Sequence, residues 1–383
     1  MQGAFSKNYA VKANNIFKYV LSLFGLSISP PQRQYFRWLL LITFIFCISC
    51  QLFLLIHVLI NISVYLLYYK VNVGLILIAI SFILLIPPIL VTYIYFYCRR
   101  FAISSLLQKL SNLPSSKSYT KNQWKKQIFQ IILFTLLHLT LIISHLTIFI
   151  SNQPFMEWMC VIRLMSEKNC KVPSTLVKFE IFIIMEIVFL NVFCHFFLST
   201  IYCFFSHICT LLVLHFQQMD DKIQKIINAK TNVSSHYQLL KFEEDFLTGE
   251  KMTNEVSRIF SSILLIWWSN VLVRICLRFR ICLNAKSGVV GGVIELLIEI
   301  LRLYVLYKRP SDINKKAKLV SENFALLRPT DGVHFACHHH FYFYLLSTQV
   351  GINVSDLFMI NSQTILSVIA TIFSYAVILL QTT

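Results

Sequence analysis

Seven long apolar stretches run through the 383-residue chain, and they restrict its possible folds more than any other feature. They occupy residues 38–60, 71–97, 128–150, 177–205, 256–277, 289–307 and 357–380. About 20 helical residues cross the ~30 Å hydrocarbon core of a bilayer, so each stretch is near or above the required length. The first, second, third and seventh contain no Asp, Glu, Lys or Arg. As soluble helices they would need a core larger than this chain can surround. Only 13% of residues are charged, against about 25% in soluble domains. The expected fold is an all-α membrane protein with seven transmembrane helices.

The net charge of +17 raises the question of nucleic acid, whose phosphates attract basic patches. The basic residues instead fall mostly in the segments between stretches, and with the N-terminus inside 24 of the 34 lie on the inner side of the membrane. Lys and Arg favour the cytoplasmic face. The expectation is a cytoplasmic N-terminus, an extracellular C-terminus and no nucleic-acid partner. Residues 1–37 form a cytoplasmic segment in which 16–26 has the pattern of an interfacial helix, ahead of a Pro30-Pro31 break. The first stretch is too long for a signal-peptide core and reads as a signal anchor. Pro87-Pro88 predicts a kink in the second helix.

The seventh stretch is not uniformly apolar. At 100° per residue, Gln363, Thr364, Ser367, Thr371, Ser374, Ile378 and Gln381 share an arc about 100° wide, six of them polar and uncharged. Such a stripe can line a water-filled path, which takes several copies around an axis because one helix encloses nothing. Ile378 is then a candidate constriction that closes by dewetting. The same residues can equally pack helices together, as small hydroxyl residues do in membranes.

The chain's end, Ser374-Tyr375-Ala376-Val377-Ile378-Leu379-Leu380-Gln381-Thr382, resembles the closing motif of insect gustatory receptors. That motif is Thr-Tyr, five mostly apolar residues, then Gln-Phe. Phe358-Met359-Ile360-Asn361 with Leu366 is similar to the family's lead-in to the last helix. Weaker matches are Ile259-Phe260-Ser261-Ser262 with Leu264-Leu265, an amphipathic 315–327, and 17–26 ending in Gly25. Ser374 stands where the family has Thr, and Thr382 where it has Phe. The resemblance implies a ligand-gated, non-selective cation channel opened by a small-molecule tastant. It implies a homotetramer, or a hetero-oligomer with related receptors, in the plasma membrane of sensory-neuron dendrites. By carry-over, Gln381 lies at the pore constriction with Tyr375 packed beside it. The organisation implied is a cytoplasmic 1–37, a six-helix ligand-sensing region 38–307, a cytoplasmic anchor 308–356, and a pore helix with extracellular end 357–383.

Ionisable residues at membrane depth face a cavity or a partner. Glu180, Glu186, Arg274, Glu295 and Glu299, with Trp267, Trp268, Phe179, Phe182 and His145, form a candidate outward-facing ligand pocket. Carboxylates and aromatic faces suit a cationic ligand. The alternative is structural pairing, Arg274 with Glu295 and Glu299 with Arg302. Cys160 and Cys170 are candidates for a disulfide, and the tract His334, Cys337, His338, His339, His340 for metal binding, though neither spacing specifies it. No catalytic constellation or cofactor motif stands out, so no enzyme is expected. A G-protein-coupled receptor would need the opposite orientation. A secondary transporter would use the same stripe and buried carboxylates, and resolved single-channel steps would separate it from a channel.

Overall fold

The computed structural model describes residues 9–28, 34–68, 73–151, 188–228, 236–284, 289–327 and 332–381. It is almost entirely helical. The helices are α1 (Tyr9–Leu23), α2 (Gln34–Tyr68), α3 (Val73–Asn112), α4 (Lys121–Ser151), α5 (Phe197–Asn228), α6 (His236–Asn284), α7 (Val289–Phe324), α8 (Gly332–Ser347) and α9 (Ser362–Gln381). A 3-10 turn, Pro114–Ser118, joins α3 to α4, and a π-helical segment, Leu190–Phe196, leads into α5. Two short antiparallel strands, β1 (Asn353–Val354) and β2 (Phe358–Met359), precede α9, with Asn353 opposite Met359 and Val354 opposite Phe358.

Six of the predicted stretches fall on helices throughout their described residues. The seventh does not: residues 357–361 are strand and turn, and the helix starts at Ser362. By length and apolarity alone, four described helical runs qualify as membrane spans: Gln34–Ile56, Lys121–Ser144, Val192–Asn228 and Gln238–Arg280. The apolar run of α9, Ser362–Tyr375, is shorter, and the membrane-depth part of α7 carries Glu295, Glu299 and Arg302. Hydropathy counts those charges at full cost, although each is paired with an opposite charge.

α5 is the centre of the molecule. Every residue from Phe197 to Phe216 is buried. An all-round apolar helix is stable in that position, with other helices on every side. α7 is its most extensive neighbour, and α3, α4 and α6 also pack on it. Tyr93 stacks on Phe197 at 4.0 Å, while Phe204 and Phe205 meet Phe96 and Phe260. The hydroxyls of Ser199, Thr200 and Thr210 donate to the carbonyls four residues back, so the helix buries them satisfied. By contrast α2 turns Trp38, Ile42, Ile45, Phe53 and Ile56 outward, as a helix facing lipid does.

α1 lies against α4, α5 and the 3-10 turn, burying Ala10, Ala13, Asn14, Phe17 and Leu21. It ends in a Schellman motif: Leu26 N–H donates to Leu21 O and Gly25 N–H to Ser22 O, both at 3.0 Å. Gly25 has φ 75°, and a β-carbon there would strike the Phe44 backbone. α3 runs as one helix through Pro87 and Pro88. α7 likewise continues past residue 307 through Pro310, so the predicted membrane region and anchor segment share one helix. The helix carries no break at their expected boundary.

Candidate functional site

Asn361 starts α9. Its Oδ1 accepts from the backbone N–H groups of Gln363 and Thr364, both at 3.0 Å, which satisfies two of the helix's orphan donors. Thr364 Oγ1 donates to Met359 O at 2.7 Å and ties the helix to β2. From that root α9 packs on α6 along one side only, through Ile365, Val368 and Ile372. The polar arc faces away. Gln363, Ser367, Thr371, Ser374 and Ile378 are exposed and Thr364 is half-buried; Gln381 closes the helix. Leu366, Phe373 and Val377 on other faces are exposed as well. The chain therefore brings the stripe to one surface and leaves it uncovered.

The stripe's hydroxyls have a definite polarity. Ser367 donates to Gln363 O at 3.2 Å and Thr371 to Ser367 O at 2.9 Å. With their protons committed to the helix backbone, these oxygens present lone pairs outward. The resulting face offers acceptors without fixed charge, a surface that attracts cations weakly and releases them.

The hairpin before α9 is pinned from two sides. Ser257 of α6 accepts from Asn353 N–H at 3.2 Å, and Ser261 accepts from Ser355 N–H at 2.9 Å. Asn314 of α7 donates to Val350 O at 3.0 Å, and Trp268 meets Phe358 edge-on at 5.9 Å. Ser355 and Asp356 at the tip are left-handed, with φ of 47° and 55°. A β-carbon at Gly351 would press on the Met359 side chain, which would have to swing aside. Gly351, Asn353 and the Ser355-Asp356 pair were the available turn signal, but the apolar Leu357–Ile360 read as helix instead.

The ionisable residues form a closed cluster between α5, α6 and α7. Glu299 accepts from Arg302 at 2.6 Å and pairs with Arg274 at 2.9 Å. Arg278 pairs with Glu295. Arg302 also donates to Ser199 Oγ at 3.0 Å and to His195 O at 2.5 Å. His195 lies in the π-helical segment, where the widened turn frees a carbonyl for an outside donor. Arg274 and Arg302 are wholly buried, and Glu299 is 1% exposed. The expected Arg274–Glu295 pair is thus replaced by Arg274–Glu299, while Glu299–Arg302 forms as expected. Arg278 lies one residue past the predicted stretch 256–277, so the sequence alone places it outside the span. Its spacing held the missing signal: Arg274 and Arg278 are four apart on α6, as Glu295 and Glu299 are on α7, and antiparallel packing matches them crosswise.

Trp267 and Trp268 do not share a cavity. Trp267 donates to Thr92 Oγ1 at 3.0 Å among Phe96, Tyr202, Phe205 and Phe260, whereas Trp268 faces the hairpin. Glu180, Glu186, Phe179, Phe182, Cys160 and Cys170 lie outside the described residues, and nothing is described of the His145 side chain. In the histidine tract, His338 stacks on Phe324 at 4.7 Å and lies 3.2 Å from the same residue's carbonyl, while His339 sits between Phe335 and Phe343. Burial holds the His338 imidazole below its ordinary protonation range. The two rings are thus committed to different neighbours rather than to one shared ligand.

A family model described as trehalose receptor matches residues 14–383. No curated protein matches. Among solved structures, the insect olfactory receptor OR5 from Machilis hrabei in complex with eugenol superposes with a TM-score of 0.74 at 12% identity, covering 98% of both chains. The structure of the same receptor described without eugenol gives 0.72 at 12% identity, covering 97% of this chain and 98% of that one. At such identity the likeness shows a common fold.

Proposed function

Since the chain belongs to the insect gustatory-receptor family, through its match to the trehalose-receptor model, we propose that it is a tastant-opened, non-selective cation channel. Several copies, four by family resemblance, surround a central path with one α9 each. The observation that carries this reading is the uncovered polar arc of α9, in which Ser367 and Thr371 donate their hydroxyl protons to the helix's own backbone. Arranged around an axis, that arc gives a neutral wall of oxygen acceptors, and Ile378 supplies an apolar ring near its outer end. A hydrated cation passes such a wall without being trapped. The N-terminus is cytoplasmic, because the basic segments then lie inside. The ligand is a small molecule, as eugenol is for the olfactory receptor of the same fold. The buried cluster of Arg274, Glu295, Glu299 and Arg302 holds the helices in register rather than meeting the ligand.

Cysteine accessibility tests this without knowledge of the ligand. Single cysteines are placed at Ser367, Thr371 and Ser374, and at Leu366 and Phe373, in the full chain in intact cells. The expected outcome is modification of the first three by a membrane-impermeant thiol reagent, above the parent's background, and little at the last two. Equal reactivity around the helix, or reactivity at Leu366 and Phe373 alone, overturns a water-lined path formed by the arc.

A further inference from the structure

The first acidic residue in the chain is Glu157; the 156 residues before it hold 13 Lys and Arg and no Asp or Glu. Four of those cations, Lys117, Lys121, Lys125 and Lys126, are exposed where the 3-10 turn passes into α4. Helix stability does not account for them. Cations in a first turn oppose the helix dipole, and the end is already closed by a reciprocal pair of bonds between Thr120 and Gln123.

The register of α4 shows what these lysines face. Phe129, Ile132, Leu136, Leu139 and Ile143 follow Lys125 at intervals of four and three residues, on one side of the helix. They are 63, 49, 55, 52 and 54% exposed, while Phe134, His138 and Leu141 are buried on the opposite side. The outward apolar stripe meets acyl chains, and its end carries Lys125 and, one turn earlier, Lys121. These two ammonium groups therefore stand at headgroup depth on the lipid-facing side of α4.

α1 adds to the same surface. Tyr9 packs on Trp124 at 6.2 Å and Lys12 stands 5.6 Å over the Tyr9 ring, bringing a fifth cation to the first turn of α4. The helix is anchored by Asn14, which donates to Ser111 and accepts from His207. Its outward face carries Tyr19 and Leu23, 68 and 58% exposed. An amphipathic helix with basic and apolar residues outward belongs in the interfacial plane.

We propose that Lys12, Lys117, Lys121, Lys125 and Lys126 form a docking site for anionic phospholipid headgroups of the leaflet on the N-terminal side. Phosphate-bearing headgroups supply the negative charge missing from this part of the chain, and the adjoining apolar stripe takes their acyl chains. A soluble phosphate would lack that second contact. The proposal rests on the membrane reading of the fold but not on channel activity.

Its test reads lipid retention. The purified full-length protein in a neutral detergent is titrated with phosphatidylserine, phosphatidylinositol 4,5-bisphosphate or phosphatidylcholine, and bound lipid is counted by native mass spectrometry. Wild type is expected to retain both anionic lipids over phosphatidylcholine. Each lysine near an anionic surface contributes a factor of about five, so K117Q/K121Q/K125Q/K126Q is expected to weaken retention more than about tenfold. The matching Lys→Arg variant keeps it. A control of equal charge loss, K225Q/K251Q/K315Q/K318Q, alters exposed lysines elsewhere and leaves it near wild type. Equal loss in both Gln variants would reduce the effect to bulk charge and overturn the site. Retention of phosphatidylcholine on a par with the anionic lipids overturns it too, as does full competition by soluble inositol trisphosphate, which would assign the lysines to a free anion.

Discussion

α5 and α9 are both largely apolar helices, yet the fold treats them in opposite ways. α5 is enclosed on every side from Phe197 to Phe216, with Ser199, Thr200 and Thr210 bonded to its own backbone and Arg302 reaching Ser199. α9 rests on α6 along one side and leaves both a polar arc and several large apolar residues uncovered. The difference teaches that hydropathy does not separate a helix enclosed by the subunit from one left partly uncovered. The distinguishing feature is where the remaining polar groups point. In α5 they are enclosed with the helix, and in α9 they form a coherent outward face.

The largest expected effect comes from breaking the charge cluster that packs against α5. Glu299→Ala leaves the Arg274 and Arg302 guanidiniums buried without their shared carboxylate, and removing one partner of such a cluster costs about 3–5 kcal/mol. A thermal melt of the full-length protein in detergent should fall sharply, and an unchanged melt would show that this cluster is not what holds the helices around α5. An intermediate effect is expected at the root of α9. Asn361→Ala removes a cap that receives two backbone bonds, a loss of about 1 kcal/mol, so the melt should drop modestly while Asn361→Asp keeps it near wild type. If Asn361→Ala cost as much as Glu299→Ala, α9 would be as integral to the subunit as α5, and the contrast would collapse.

The smallest effect lies where α8 packs on α7, beneath the hairpin that carries α9. The buried His338 ring protonates less readily in the folded protein than in the unfolded chain, where imidazole takes its proton near pH ~6.5. Its contribution is complete above that pH and declines as pH falls toward the lower folded value, because the unfolded state then binds more protons. Melting midpoints at about pH 7.5 and about pH 5.5 should differ less in His338→Gln than in wild type. An identical difference in the two proteins would assign the acid sensitivity to other groups.

Much of this arrangement was legible in the residues themselves. The uncharged stretches 38–60 and 128–150 have one solution at this length, and the arc from Gln363 to Ser374 follows from helical periodicity alone. The failures share a cause, which is that sequence periodicity reports neighbours along a helix and not across helices. Arg278 lay one residue past an estimated helix end, so its partnership with Glu295 was invisible until α6 and α7 were set antiparallel. The hairpin was lost because two-residue strands are too short for an alternating pattern, and Phe358-Met359-Ile360 continued an apolar run. Tyr307 and Lys308 differ in polarity, which suggested a boundary, but helix propagation continues through such a change when each side finds suitable surroundings.

The hairpin's attachment has a mechanical consequence. Its first strand hangs from Ser257 and its tip from Ser261, one helical turn apart on α6, and its base is gripped by Asn314 of α7. Ser355 and Asp356 occupy a narrow left-handed basin, so the tip cannot absorb displacement by idle rotation of its backbone. The last helix is thus joined to the bundle by a stiff bracket rather than a slack tether. A tilt or slide of α6 is delivered to the foot of α9 with little play, and the torque arm is the length of α9 itself.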